Sequence, residues 1–523
     1  MMALHIKHEI LVAPTSKLEQ SLEKLSQGPE LLTAAALAQW QKLSKTFKKN
    51  DSTASARLHF TGGDSLTVFF ISPQVSSFQL HTELRKSLED LFAPLPAAEG
   101  TRSLVLNLKA IDKTQSRRIV VALSALSQMA GWKPVSFGKK GEEHASANPI
   151  LPALEWRTSL QQRELARLIF KGQSLGQANS LVRTLADLPS NELHPHAYRA
   201  RAQAFAKDHG LSFEFWSISE LQKKKAGAFL AVNRADPKSQ AGIAVIKYQP
   251  KPALKRSAQK SKLPVVALVG KGLCFDTGGY NIKTGPHMYG MHGDMTGSAL
   301  ALALCGYFAK MKVPFEVHAY LALAENLISP TAYKPNDIVI ACDGTSIEVI
   351  DTDAEGRMVL SDTLALVRRT QPSLCIDYAT LTGAAIRSLD TRRGAVFSNA
   401  PWLARKAVTA GDESGERTWS FPIGEDYREI LKSKIADLAQ CGPGSNADHI
   451  YAATFLSHFI GNETPWLHLD LSTAENKGGL GLVSSDTTGF GVFWTDAIVD
   501  LALNEAHQKA KVRPHSISKK GRI

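Results

Sequence analysis

No run of about 18 apolar residues occurs in this 523-residue chain, so a membrane-spanning helix is not expected. The opening residues, MMALHIKHEI, lack the apolar core and cleavage pattern of a secretory leader, which points away from export. Cysteine is scarce. The five residues at 274, 305, 342, 375 and 441 are scattered, odd in number and without C-x-x-C spacing, which favours reduced thiols in a cytoplasmic setting. No phosphate loop of the G-x-x-x-x-G-K-[ST] type is present, and no solenoid repeat, helix-turn-helix or zinc-finger pattern. Hydrophobic content of 44% and charged content of 21% are those of a soluble globular chain.

At this length one compact core is not expected, and two domains are the simple solution. Short strand-like runs (HIKHEILVA, LTVFFIS, SLVLNLK) alternate in the first third with helix-like runs (FQLHTELRKSLEDLF, RRIVVALSALSQMAG), the rhythm of a smaller α/β domain over 1–155. FGKKGEEHASANP at 137–149 reads as its exit loop. The span LQQRELARLIFKGQSLGQANSLVRTLADL reads as a long connecting helix, 156–187, broken near Gly172 to Gly176. A larger α/β domain with a central sheet follows over 188–505, then a basic tail, 506–523.

The chemistry concentrates in two segments of the second domain. LPVVALVG (263–270) is a short apolar, β-branched run expected as a buried strand, with Lys271 to Gly279 forming the loop at its carboxyl end. In open α/β sheets ligands bind beyond that end, which places Asp276 where chemistry usually occurs. Downstream, TSIEVIDT alternates like a strand and GRMVLSDTLALVRR has amphipathic-helix spacing, so Asp353, Glu355 and Arg357 fall at the junction. An isolated Asp-x-Glu before a helix is ordinarily a capping device. The conjunction Lys271, Asp276, Lys283, Asp294 with Asp353, Glu355, Arg357 asks for more: four carboxylates suit two divalent ions that polarise a carbonyl and generate hydroxide from water. A lysine beside such ions would have its pKa depressed and could ligate, while a second stays charged to hold an oxyanion. These residues by themselves point to a two-metal hydrolase, with peptides, phosphoesters and amides all open as substrates.

VGKGLCFDTGGYNIK, MYGMHGDM, DTDAEGRMVLSD and DYATLTGA, in this order and spacing, resemble the signature blocks of the leucine aminopeptidase (cytosol aminopeptidase) family; the similarity runs from about 185 to 492. The resemblance implies a mixed sheet flanked by helices in the catalytic domain and a cytoplasmic homohexamer. It implies a metal-dependent exopeptidase of leucyl type, acting on peptides with a free N-terminus through a metal-activated hydroxide. Lys271, Asp276, Asp294, Asp353 and Glu355 would hold two divalent ions (Mn²⁺ or Zn²⁺, with Mg²⁺ also open), Asp276 and Glu355 bridging them. Lys283 would polarise the scissile carbonyl, and Arg357 would hold a bicarbonate acting as general base. Thr380, Leu381 and Gly383 would receive the substrate backbone. Met291 would wall the pocket for the first side chain, with ordinary core packing as its competing explanation.

Three departures stand out: Asp351 where the family has asparagine, CFDTGG with Cys274 and Thr277 in place of TFDSGG, and Asp294-Met-Thr-Gly-Ser in place of DMGGA. None removes a ligand, but groups behind the ligands tune metal preference. His287 and His292 read as loop residues rather than ligands, and Cys274 as a small buried residue. The net charge of +12 concentrates partly in KPALKRSAQKSK (251–262) and in a tail holding Lys509, Lys511, Arg513, Lys519, Lys520 and Arg522, read as disordered. Salt-sensitive contact with phosphate backbones is therefore the alternative reading, a DNA-binding regulator on the same scaffold, although no aromatic residues interleave the cations.

Overall fold

The computed structural model describes residues 5–14, 54–59, 65–72, 74–93, 101–138, 152–236, 240–251, 263–442, 444 and 446–512. The chain divides into two compact units, Met1–Leu193 with Gly306–Lys312 and Ala474–Gly489, and His194–Cys305 with Val313–Thr473 and Phe490–Ile523.

In the first unit, strands β1 (His5–Pro14), β2 (Ala54–His59), β3 (Ser65–Ile71), β4 (Thr101–Asn107) and β5 (Ala153–Arg157) form a sheet in the order β2-β3-β1-β4-β5. All neighbours are parallel except β2 with β3. Helices α1 (Ser77–Phe92) and α2 (Lys113–Met129) start at Ser76 and Asp112, whose side chains accept from the amides of Gln79 and Gln115. The strand and helix runs read from the sequence all lie here. The expected break at Gly172 to Gly176 does not occur. Helix α3 runs unbroken over Gln162–Asp187, and its glycines serve another purpose. A Cβ on Gly172 would sit 2.4 Å from the Val121 carbonyl oxygen, and one on Gly176 2.5 Å from that of Ala125. Those positions let α3 lie directly on α2.

The second unit holds strands β6 (Ser212–Ser217), β7 (Gly242–Tyr248), β8 (Val265–Asp276), β9 (Glu316–Asn326), β10 (Ile338–Ile340), β11 (Ser346–Glu348), β12 (Leu374–Ala379), β13 (Gly394–Ser398), β14 (Thr418–Ser420), β15 (Leu438–Ala439) and β16 (Trp466–Asp470). Its main sheet is mixed, in the order β14-β13-β16-β12-β8-β9-β7-β6. The four middle strands, β16-β12-β8-β9, are parallel. They are almost wholly buried, as near-continuous apolar runs such as VVALVG require. A small sheet, β10-β11-β15, flanks the site.

Two sequence expectations need correction here. β8 does not stop at Gly270. Lys271 to Asp276 continue the strand, paired to β9 through Leu273↔Ala324 and, after a bulge, Asp276↔Asn326. The glycine that looked like a terminator instead admits a neighbouring backbone, since a Cβ on Gly270 would lie 2.3 Å from Ser298 Cα. The last helix, Val492–Val512, also runs past the expected start of a disordered tail at 506. Residues 513–523, 252–262 and 139–149, which carry most of the basic stretches and the exit loop, lie outside the described residues.

Candidate metal centre

Each of the four parallel strands ends on a residue of one cluster or next to one: Asp276 on β8, Asn326 on β9, Ala379 before Thr380 on β12, and Asp470 on β16. The sheet's carboxyl edge thereby brings together residues almost 200 positions apart, where loops rather than side-chain layers fill space. Asp353 and Glu355 arrive from the turn that opens helix α4 (Glu355–Arg368).

Two lysines stitch the carboxylates. Lys271 Nζ stands 2.9 Å from both Asp294 Oδ2 and Glu355 Oε1. Lys283 Nζ stands 2.8 Å from Asp276 Oδ2 and 2.5 Å from Asp353 Oδ1. Oxygens of Asp276, Asp353 and Glu355 come within 4.8 Å of one another. All but Asp353 and Lys283 are nearly sealed from solvent. Burial opposes the charge of Lys271, yet Asp294, Glu355 and Asp276 outweigh it and push its pKa above the usual lysine range. Among these carboxylates Lys271 is an ammonium; the neutral amine expected from the sequence belongs to a site that also holds divalent ions. Burial raises the Asp294 carboxyl to about 7 against the pull of Lys271. Partial burial, with repulsion from Asp276 and Glu355, does the same for Asp353.

The surroundings fix these groups. Asp276 Oδ1 accepts from the Gly278 amide at 2.9 Å and from Asn326 Nδ2 at 2.8 Å. Asn326 also donates to the Thr352 carbonyl at 3.0 Å, which Tyr333 reaches at 2.8 Å. Asp351 Oδ1 accepts from the Asp353 amide at 2.8 Å. An asparagine oxygen could close the same turn, so the departure at this position keeps the local geometry and adds a charge. Gln440, on the strand-like segment after β15, accepts from the amides of Ile350 and Asp351 at 3.1 Å each and donates to the Ala354 carbonyl at 3.0 Å. Gly356 leaves room for the Lys271 side chain. A Cβ there would lie 2.6 Å from Lys271 Nζ.

The remaining expected residues divide. Thr380 joins the cluster, its carbonyl accepting from Lys271 Nζ at 3.2 Å and its hydroxyl donating to Asp294 Oδ1 at 2.7 Å. Leu381 lies close by, since the absent Gly356 Cβ would meet its Cδ1 at 2.9 Å. Asp470 holds this loop by accepting from the Leu381 amide at 3.0 Å and the Thr382 hydroxyl at 2.7 Å. Gly383 starts a short helix, Gly383–Leu389, and is exposed. Met291 is half-buried in a 3₁₀ turn, Met291–Gly293, whose carbonyl accepts from the Asp294 amide at 3.3 Å. Arg357 is paired with other groups: its Nη2 donates to Asp448 Oδ2 at 2.7 Å and its Nη1 to the Gln440 carbonyl at 3.4 Å. His287 is exposed and His292 half-buried, and neither joins the carboxylate cluster. Cys274 is buried, which drives its thiol well above the ordinary range. Sequence reading missed Asn326, Gln440, Asp448 and Asp470, because each lies far along the chain from the groups it serves and in no motif of charged residues.

The donor set fits divalent cations. Four carboxylates face only two ammonium groups, and Glu355 Oε2 is buried with no hydrogen-bond partner among the described residues. A buried carboxylate oxygen in that condition is costly unless a cation meets it.

Comparison with known proteins gives the family and the fold. Residues 180–494 match the catalytic domain of the cytosol aminopeptidase family. Among curated relatives, a probable cytosol aminopeptidase of Roseiflexus castenholzii is 38% identical over 309 residues, covering 59% of this chain and 61% of that protein. One of Leifsonia xyli subsp. xyli is 32% identical over 416 residues, covering 73% and 82%. The match thus spans about three fifths of the length of the first of these. Among solved structures, the bottromycin maturation enzyme BotP in complex with Mn superposes with a TM-score of 0.76 over 95% of this chain and 99% of that one, at 24% identity. That likeness establishes the fold.

Proposed function

Because the chain belongs to the cytosol aminopeptidase family, we propose that it is a metal-dependent aminopeptidase that hydrolyses the N-terminal peptide bond of peptides, with a leucyl-type preference. One observation carries the reading: oxygens of Asp276, Asp353 and Glu355 converge within 4.8 Å at the carboxyl edge of a parallel sheet, tied to Lys271, Lys283 and Asp294.

In this reading Lys271, Asp276, Asp294, Asp353 and Glu355 hold two divalent ions, Mn²⁺, Zn²⁺ or Mg²⁺. When bound, such a pair supplies Lewis acidity and makes water nucleophilic near neutral pH. The chain does the rest. Lys283, charged and reaching over Asp276 and Asp353, meets the negative charge that develops on the scissile carbonyl oxygen. Thr380, fixed at both its oxygens, and Leu381, anchored through Asp470, present a rigid edge to the peptide backbone, with Gly383 leaving room beside it. Met291 walls the first side-chain pocket. The bicarbonate expected at Arg357 fits less well, since that guanidinium already meets Asp448.

We further propose a cytoplasmic homohexamer. Among the described residues no helix is long and apolar enough to cross a membrane. DNA contact through the basic stretches has no support from the described residues, because those stretches fall largely outside them.

The decisive assay offers purified protein a panel of aminoacyl p-nitroanilides after chelator stripping, with each metal added back and Asp353→Ala as control. Metal-restored release, absent in the control and on N-acetylated substrates, is the expected result. Silence with every metal would end this reading.

A further inference from the structure

We infer that the anion held by Arg357 is a residue of this chain, Asp448, and that free bicarbonate has no place there; this rests on the aminopeptidase reading for its catalytic consequence, though not for its binding test. Arg357 lies in the first turn of α4, beside Glu355, with its side chain only 2% exposed. A guanidinium so buried needs a counter-anion. Asp448, the first residue of the helix Asp448–Ile460, supplies it at 2.7 Å. That helix packs against α4, so the two N-terminal turns meet and the pair is fixed by the fold rather than by flexible side chains.

A bicarbonate bound to the same group would place a second anion against Asp448. One buried cation would then face too much negative charge, and like charges at such range oppose one another strongly. Asp448 is also chemically able to substitute. Its side chain is 30% exposed, and its Oδ1 makes no hydrogen bond among the described residues. It therefore presents a carboxylate oxygen to water, able to take a proton and return it. The partner lies 91 residues from Arg357 in sequence, and no spacing rule links them.

The test uses the full-length, metal-loaded protein in CO₂-depleted buffer, with sodium bicarbonate, sodium formate or sodium chloride at equal ionic strength. Thermal unfolding and p-nitroanilide cleavage are both read. Wild type is expected to respond to bicarbonate no more than to chloride in either measurement. Asp448→Ala is expected to be slower by about tenfold or more, the scale of a lost acid–base group, to recover several-fold with bicarbonate or formate, and to melt higher with them than with chloride. Asp448→Asn keeps the side chain's shape without its charge, so it separates loss of charge from loss of fold and should show the same anion-specific rise in melting temperature. Wild type stimulated or stabilised specifically by bicarbonate would overturn the inference. So would variants that respond no more than wild type. Absence of cleavage by wild type with every metal would instead count against the aminopeptidase reading, leaving the melting experiment to decide this one.

Discussion

Lys271 and Lys283 have similar neighbours and different exposures, and the difference separates their work. Lys271 is sealed between Asp294, Glu355 and the Thr380 carbonyl, whereas Lys283 keeps 14% of its side chain exposed. Only the second can meet a substrate. Lys283→Met should therefore lower kcat by about 10²–10³-fold, the usual scale for removing a charge that stabilises an oxyanion. Its bound metal, measured by elemental analysis, should stay at the wild-type stoichiometry. Loss of metal in this variant would instead make Lys283 part of the ion-holding set. Gly356 tests the other lysine. A methyl group there would occupy the path of the Lys271 side chain, 2.5 Å from its Cε. Gly356→Ala should cost about 10²-fold in kcat/KM, the penalty of a displacement near 1 Å, while circular dichroism stays unchanged. An active Gly356→Ala enzyme would show that Lys271 has another route to the site.

At the scale of elements, the sheet's carboxyl edge positions the centre and the helix starts finish it. Both Glu355 and Asp448 stand in first helical turns, where the backbone amides favour negative charge. A third helix start is held by a carboxylate from outside the helix. Glu416 Oε2 accepts from the amides of Gly491 and Trp494 at 2.9 and 2.8 Å, tying the start of the helix Val492–Val512. Burial, outweighing these bonds, pushes the Glu416 carboxyl up to about 8 from 4.5. The folded protein then holds a proton that the unfolded chain has released. Its contribution to stability is complete below pH 4.5 and falls as pH rises toward 8. Glu416→Gln, which cannot ionise, should flatten that part of the curve. Urea midpoints measured across the interval for both proteins check this, and equal slopes would mean that Glu416 ionises normally in the fold.

At the scale of the molecule, the two units differ in purpose. The first builds a five-stranded sheet whose described residues contribute none of the expected ligands, and the second supplies every one. Analytical ultracentrifugation tests the proposed assembly: a single species at the hexamer multiple of the 56.8 kDa chain is expected. A monomer would end the hexamer proposal.

The charged motifs were legible in the sequence because ligands are chosen by residue type. Lys271, Asp276, Lys283, Asp353 and Glu355 follow from the two segments alone, as does the placement of the second segment at a helix start. The α/β rhythm was equally plain, since strand and helix periods differ. Glycine misled at 172, 176 and 270, because a glycine that breaks an element and one that admits a neighbour look alike until the neighbour is placed. Only the tertiary structure could decide which neutral or distant residues serve the site. Asn326, Gln440 and Asp470 act through hydrogen bonds across 26 to 90 positions, and Asp448 through one ion pair. Chemistry is local to a side chain and can be read from its name. Proximity is created by folding, and the partner of Arg357 exists only once two helices have been packed side by side.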